Sequence, residues 1–193
     1  MPVMVVADIP GATVEQYEAV SRALGFRDPG FEPPKGLISH TAGVNDDGVL
    51  IVDVWDSAED FQRLMEQAVP AMQEVGVPPM EPRILPVHNH IAQGAGTSAG
   101  VILFIESDGF TPADYDRLTA KMDAHRDGGS RHPAVSHVAA VTDDGTVFVD
   151  VWDSPETFAR FAEQQLGPAA EGEGLPELEP RFVPVHYRMV GNR

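Results

Sequence analysis

The sequence predicts an α+β protein in which one βαββαβ unit occurs twice. The hexapeptide VDVWDS occurs at 52–57 and again at 149–154. Its surroundings repeat as well, since GLISHTAGVNDDGVLIVDVWDSAEDF aligns with AVSHVAAVTDDGTVFVDVWDSPETF, and EPRILPVHN aligns with EPRFVPVHY. A repeat of about 97 residues is too long for a solenoid unit and fits a duplicated small domain. We expect a first repeat at 1–92, a linker of small residues at 93–100, and a second repeat at 101–193.

Each repeat is expected to begin with a strand followed by a helix. Short apolar runs at 3–7 and 101–105 predict the two first strands. The helices are expected to start at Thr13 and Thr111, because each threonine is followed three residues later by an amide or acidic side chain that can complete a capping box.

The rest of each repeat predicts a hairpin, a second helix and a last strand. Two apolar runs joined by NDDG or TDDG are typical of an antiparallel hairpin. Ser57 and Ser154 are suitable N-cap residues, and Pro155 occupies the favoured first helical position. A Pro/Gly-rich stretch then leads to a fourth strand, ILPVHNHI or FVPVHYRM. The resulting order is the ferredoxin-like pattern.

Alternation along the third strand separates polar from aliphatic side chains. Helices cover one face of a ferredoxin-like sheet, and the aliphatic side chains are expected to meet them. Asp53 and Trp55, like Asp150 and Trp152 of the second repeat, are therefore expected on the open face. Two such faces can close on each other and enclose a lumen.

A histidine is expected beside each of these aspartates. Counted back across the hairpin, a four-residue turn pairs His40 with Asp53 and His137 with Asp150. A two-residue turn would instead pair His40 with Trp55, but the face is the same in both registers.

The fourth strands are predicted to add further polar side chains to the same interior. Alternation places His88 there in the first repeat, and His186 and Arg188 in the second. The side chains expected to contact a ligand are Trp55, Trp152, His88, His186 and Arg188. Tyr17 and Tyr115 recur at matching helix positions and are interpreted as packing residues.

The His/Asp pairs allow two interpretations. They can be satisfied polar pairs that set the strand register, inherited by both copies of a duplicated unit. They can also be catalytic, because an imidazole oriented by a carboxylate in a semi-apolar cavity suits proton transfer near neutral pH. On the second interpretation His40, Asp53, His137 and Asp150 are the candidate catalytic residues.

A metal site is a further alternative. Closing the two sheets could bring His40 near His186 and His137 near His88, and two histidines with an aspartate suit zinc, iron, nickel or copper. The spacing indicates this only weakly, because no helix carries a tight pair of histidines. The expectation is therefore no cofactor, with a metal or haem as the alternative.

Composition excludes several classes of partner and chemistry. The formal charge of −17 disfavours nucleic acid and anionic membrane surfaces, and no apolar run reaches the length of a membrane span. The absence of cysteine excludes disulfides, thiolate metal sites and cysteine nucleophiles. The first residues lack the basic region of a secretory signal, so a cytoplasmic location is expected. The loop HRDGGSRHP, with His125 and His132, is either a solvated loop or an entrance that favours anionic groups.

The tandem βαββαβ units, the strand ending in Trp-Asp-Ser, and the helices opening on SAEDF or SPETF resemble the dimeric α/β-barrel superfamily, in particular the antibiotic biosynthesis monooxygenase-like proteins. The resemblance spans nearly the whole chain. It implies that two halves of one chain form the barrel that two subunits form elsewhere, in a monomer or a homodimer. Members include cofactor-independent monooxygenases, haem-degrading enzymes, isomerases, cyclases and stress-response proteins.

The leading expectation is a small-molecule enzyme of secondary metabolism. Its reaction would be cofactor-free oxygenation, isomerisation or cyclisation of an apolar aromatic or polyketide-like substrate, with His/Asp proton transfer. The alternatives are a non-catalytic ligand-binding or stress-response protein, and a metal- or haem-binding protein that uses the cavity histidines.

Overall fold

A computed structural model describes residues 1–92, 98–124, 133–176 and 178–191 of the chain. Most of the expected linker, at 93–97, and most of the loop HRDGGSRHP, including His125 and His132, lie outside the described residues. Within the described ranges, every helix is too short or too polar to cross a membrane.

The secondary structure follows the expected order twice. The first series is β1 (Val3–Pro10), α1 (Val14–Ala23), β2 (Leu37–Asn45), β3 (Gly48–Trp55), α2 (Ala58–Glu74) and β4 (Arg83–Ala92). The second series is β5 (Val101–Asp108), α3 (Pro112–Ala124), β6 (Ser136–Val141), β7 (Gly145–Trp152), α4 (Pro155–Phe161), a π-helix (Ala162–Leu166), α5 (Gly167–Ala170) and β8 (Arg181–Val190).

The expected caps begin the helices. Thr13 forms a complete capping box at α1. The hydroxyls of Ser57 and Ser154 accept hydrogen bonds from backbone N–H groups in the first turns of α2 and α4, and Pro155 opens α4. These side chains satisfy backbone donors that have no partner within the helix, so the sequence alone determines where these helices start.

The described strands form an antiparallel sheet, which confirms the α+β class. Their hydrogen-bonded order is β1-β3-β2-β8-β5-β7-β6-β4. Contacts divide the chain into a first unit, residues 1–86 with 183–193, and a second unit, residues 87–182. Strands β4 and β8 each contribute residues to both units, so the compact units differ from the two halves of the sequence.

The hairpin register pairs His40 with Asp53, and His137 with Asp150, as expected. The turn in the first repeat has only two residues between Asn45 and Gly48, which pair with each other. The expectation that a two-residue turn would shift His40 onto Trp55 is therefore wrong. The two-residue turn at 46–47 and the four-residue turn at 45–48 have the same midpoint, so both pair His40 with Asp53.

The predicted orientation of the sheet faces is also wrong. Helix side chains, including Tyr17 of α1 and Met65 of α2, line the same space as His40 and Asp53, so the polar face is the one that the helices cover. The aliphatic side chains of β3 on the other face, such as Val54, are buried as well. Because both faces are buried, residue composition could not indicate which face meets the helices.

Candidate functional site

A chain of four hydrogen-bonded side chains crosses the helix-covered face of the first unit. The Tyr17 hydroxyl lies 2.9 Å from Nε2 of His40, and Nδ1 of His40 lies 2.7 Å from Oδ1 of Asp53. The indole Nε1 of Trp55 donates to Oδ2 of the same aspartate at 3.3 Å. Both carboxylate oxygens are therefore hydrogen-bonded, which offsets the cost of burying the aspartate.

The second unit repeats this arrangement. The Tyr115 hydroxyl lies 2.9 Å from Nε2 of His137, whose Nδ1 lies 2.6 Å from Oδ1 of Asp150. Trp152 donates to Oδ2 of Asp150 at 3.2 Å. We call each of these Tyr-His-Asp-Trp chains a relay.

For an ionised aspartate and a neutral imidazole, the hydrogen-bonding partners assign the histidine tautomer of each relay. An ionised carboxylate only accepts hydrogen bonds, so Nδ1 of His40 or His137 carries the proton that it donates to aspartate. Nε2 of the neutral imidazole is then an acceptor, and the tyrosine hydroxyl donates to it. The side chains of His137 and Asp150 are 11% and 10% exposed, and those of His40 and Asp53 are 6% and 5% exposed.

The tyrosines are the members of the two relays that the sequence interpretation missed. Tyr17 and Tyr115 were expected to be packing residues, but each also places its hydroxyl on a histidine. Their recurrence at equivalent helix positions was the available signal. It was not sufficient, because a repeated aromatic residue on an amphipathic helix is also typical of a core position.

Burial affects the chemistry of the first relay. It raises the pKa of Tyr17 well above the ordinary value for a tyrosine, and a hydrogen bond from the Ser21 side chain opposes this only in part. The phenol of Tyr17 is therefore held in its neutral, proton-donating form.

A cavity of about 190 Å³ lies against the second relay. We call it the Tyr115 cavity. Tyr115, His137 and Asp150 line it together with Asn89 of β4, and most of the remaining wall is aliphatic or aromatic, including Leu103, Ile105, Phe148 and Phe161. A few convergent polar groups in an apolar pocket are typical of a small-molecule site.

The cavity at the first relay is smaller. The Tyr17 cavity measures about 90 Å³ and is lined by Tyr17, His40 and Asp53 among mainly apolar side chains. The same polar chain therefore borders two spaces that differ about twofold in volume. An apolar cavity of about 150 Å³ holds a benzene molecule, so the Tyr115 cavity is large enough for an aromatic ring and the Tyr17 cavity is not.

Asn89 extends the second relay. Its Nδ2 donates to the phenolic oxygen of Tyr115 at 2.6 Å. The sequence equivalent in the first unit is Tyr187, whose hydroxyl donates to the backbone oxygen of Phe26 at 3.3 Å and whose ring lies under the guanidinium of Arg27. The two relays therefore differ in the group that the fourth strand supplies.

The predicted neighbours His40 and His186 both contact Tyr17. The ring of His40 stacks on Tyr17 with a centroid distance of 6.1 Å, and His186 meets it edge-on at 5.6 Å. Nε2 of His186 lies 2.5 Å from Oε1 of Glu18. Tyr115 is placed in the same way between His137 and His88, and Nε2 of His88 lies 2.8 Å from Oδ1 of Asp116.

This arrangement is a poor fit to the metal alternative. Both ring nitrogens of His40 and His137 already bind an aspartate and a tyrosine. Among the described residues, no group of three or more His, Asp or Glu side chains is arranged to hold a metal ion.

The remaining predicted ligand contacts lie elsewhere. Trp55 and Trp152 are fully buried in hydrophobic clusters, where they support the aspartates and do not line the relay cavities. Arg188 lies across from Thr41 on β2. Its Nε and Nη2 atoms are buried with no hydrogen-bond partner among the described residues, and burial lowers the pKa of its guanidinium.

The sequence matches no protein-family model and no curated protein, whereas the fold is similar to those of several solved structures. A candidate monooxygenase from Lactobacillus acidophilus superposes with a TM-score of 0.70 at 10% identity, covering 98% of this chain and 96% of that one. One from Fusobacterium nucleatum gives 0.70 at 9% identity, with coverages of 98% and 94%. An anthrone oxidase-like protein gives 0.53 at 15% identity, with coverages of 100% and 94%.

These likenesses extend over nearly the whole chain, and at such low identity they concern the fold. The chain therefore has the dimeric α+β-barrel fold that the sequence resemblance predicted.

Proposed function

We propose that this chain, as a duplicated ferredoxin-like unit, is a small-molecule enzyme whose second unit removes a proton from an apolar aromatic substrate. The observation that carries the proposal is that Tyr115, His137, Asp150 and Asn89 converge on one wall of the apolar Tyr115 cavity. We place the reaction at Tyr115 because its hydroxyl is hydrogen-bonded to both Asn89 and His137.

The relay can accept a substrate proton in one concerted shift. Tyr115 passes its hydroxyl proton to Nε2 of His137 while its oxygen takes the proton of a phenol, an enol or an acidic C–H group. Asp150 stabilises the imidazolium that forms, and Asn89 stabilises negative charge on the tyrosine oxygen. A positioned acid–base group of this kind contributes a rate factor of about 10² to 10⁴.

The reaction class that follows best from such a substrate anion is cofactor-free oxygenation. For an activated aromatic methylene, the carbanion transfers electrons to dioxygen and forms a C–O bond. The imidazolium returns its proton to the resulting peroxide, which eliminates water and leaves a ketone. One substrate CH₂ and one O₂ thus become one C=O and one H₂O. The anthrone oxidase-like fold relative makes anthrone a suitable probe substrate.

Proton transfer can be tested with 4-nitrophenol, since its phenol and phenolate forms absorb at different wavelengths. At a pH below the pKa of the free probe, we expect the bound probe to show the phenolate band. His137→Gln should abolish that band while the probe still binds, and His40→Gln in the first unit is the matched control. An unchanged band in His137→Gln would contradict the proposal.

Oxygenation requires a separate measurement. With anthrone as the probe, we expect one O₂ consumed for each anthraquinone formed, and a rate that falls by about 10² to 10⁴ in His137→Gln. Equal rates of oxygen uptake in wild type and His137→Gln would contradict the assignment of the oxygenation reaction to the second relay.

A second candidate function is non-catalytic ligand binding. It is favoured by one observation: both ring nitrogens of His40 and His137 are already hydrogen-bonded within the protein. In that case 4-nitrophenol would bind as the neutral phenol, and neither histidine variant would alter its colour.

A further inference from the structure

A second cavity adjoins the Tyr115 cavity. It measures about 350 Å³ and shares four wall residues with it, Phe110, Leu118, Leu166 and Leu178. The other residues that line it are small or aliphatic, and none carries a charge. We call it the adjoining cavity. It offers apolar space next to the site of proton transfer.

A one-residue insertion accompanies this cavity. The two repeats are offset by 97 residues at Phe61 and Phe158, but by 98 residues at Glu81 and Glu179. Alignment of FQRLMEQ-AVPAM with FARFAEQQLGPAA places the extra residue at the glutamine pair 164–165. This pair lies inside the π-helix, whereas α2 of the first repeat is assigned as one continuous α-helix. A π-turn accommodates one more residue than an α-turn, and such turns are frequent at functional sites.

The first repeat carries methionine at two positions where the second repeat lines the adjoining cavity with alanine. On the same alignment Met65 and Met72 correspond to Ala162 and Ala170. Both alanines line the adjoining cavity, whereas both methionines line the Tyr17 cavity. The repeats therefore differ by two large-to-small exchanges, one inside the π-helix at Ala162 and one at the end of α5 at Ala170.

We infer that the second unit binds elongated ligands: a phenol-like head group at Tyr115, extended by an alkyl chain or a further ring that passes Leu118 and Leu166 into the adjoining cavity. This inference deepens the proposed function and rests on its placement of the head group. Ala162 and Ala170 determine specificity by leaving room for the extension, and the first unit does not bind such ligands.

A series of 4-alkylphenols tests the inference by isothermal titration calorimetry, from phenol through 4-ethylphenol and 4-propylphenol to 4-pentylphenol. Burial of each methylene group should tighten binding by about fourfold. One such site per chain is expected. The double variant Ala162→Met with Ala170→Met introduces the residues of the first repeat, and it should abolish the gain along the series while the affinity for phenol changes less than about twofold.

Two controls keep the result interpretable. Gln164→Met places a methionine on the exposed side of the same π-helix and should leave the whole series unchanged. Deletion of one of the two glutamines, 164 or 165, should remove the gain by a different route, and circular dichroism shows whether each variant is folded.

The outcomes separate the two proposals. Phenol binding with no gain along the series, or an equal gain in the methionine variant, would overturn the adjoining cavity as a ligand site and leave proton transfer at His137 untouched. A full gain in a protein that binds 4-nitrophenol only as the neutral phenol would support the elongated site and reject the relay.

Discussion

The side-chain amide of Asn89 on β4 donates a 2.6 Å hydrogen bond to the phenolic oxygen of Tyr115 on α3. Asn89 comes near the end of the first sequence repeat and Tyr115 near the start of the second, yet both lie in the second unit. Most of β4, which ends the first repeat, thus belongs to the second unit, and most of β8, which ends the second repeat, belongs to the first unit. Tyr187 on β8 therefore lies in the first unit. The difference between Asn89 and Tyr187 predicts that the two relays differ in chemistry.

Replacing Asn89 with leucine should weaken proton transfer at Tyr115. Leucine has nearly the same shape but no N–H donor. The tyrosine oxygen carries negative charge only while the proton passes through it, and a hydrogen bond to a charged group is worth about 1.5–3 kcal/mol. We expect the rate of anthrone oxidation to fall tenfold or more, measured by O₂ uptake. Tyr187→Phe, which removes a hydroxyl in the first unit, should change nothing; equal O₂-uptake rates in wild type and Asn89→Leu would refute this role of the amide.

Tyr17 should make the protein sensitive to alkaline pH. Burial raises the pKa of Tyr17, so the folded state holds this proton more tightly than the unfolded chain does. Stability is therefore intact below the unfolded-chain pKa of about 10 and falls as the pH rises above it. Urea unfolding between pH 8 and 11 measures this. The free energy of unfolding should fall less steeply with pH in Tyr17→Phe than in the wild type. At pH 8 the variant should be less stable by about 1 kcal/mol, because it lacks the hydrogen bond to His40. An identical slope in both proteins would count against this assignment.

The two aspartates should contribute equally to the stability of the protein but unequally to proton transfer. Asp53→Asn and Asp150→Asn each disturb hydrogen bonds from a histidine and a tryptophan, and each should cost about 2 kcal/mol in the free energy of unfolding. Only Asp150→Asn is expected to reduce the phenolate signal of bound 4-nitrophenol. If Asp53→Asn reduces that signal as strongly, proton transfer does not belong to the second unit alone.

Arg188 should be dispensable for stability. Two of its nitrogens are buried with no partner among the described residues, and burial lowers the pKa of its guanidinium. Arg188→Met should leave the free energy of unfolding unchanged or raise it by up to about 1 kcal/mol, because solvent still reaches part of the side chain. Chemical denaturation measures this. A clear loss of stability would show that the guanidinium makes a stabilising contact.

The sequence predicted the frame of the site well. Hairpin parity placed each histidine opposite its aspartate, and N-cap residues placed the helix starts, because both depend on neighbours close in the chain. His40 near His186 and His137 near His88 also followed from strand order. The sequence could not show which face of the sheet the helices cover, because the aliphatic side of β3 is buried as well. The role of Tyr115 did not follow either, because its hydroxyl is positioned by the packing of α3 against the sheet.

By itself the sequence determined the order of strands and helices and the pairing of His137 with Asp150. Local rules suffice for these, since alternation, turn composition and capping act over a few residues. Tertiary structure decided that Asn89 reaches Tyr115, that the two relays border cavities of different volume, and that one inserted glutamine becomes a π-turn beside apolar space. These features arise from contacts between residues far apart in the chain, where the size of one side chain, methionine or alanine, sets the space left for a ligand.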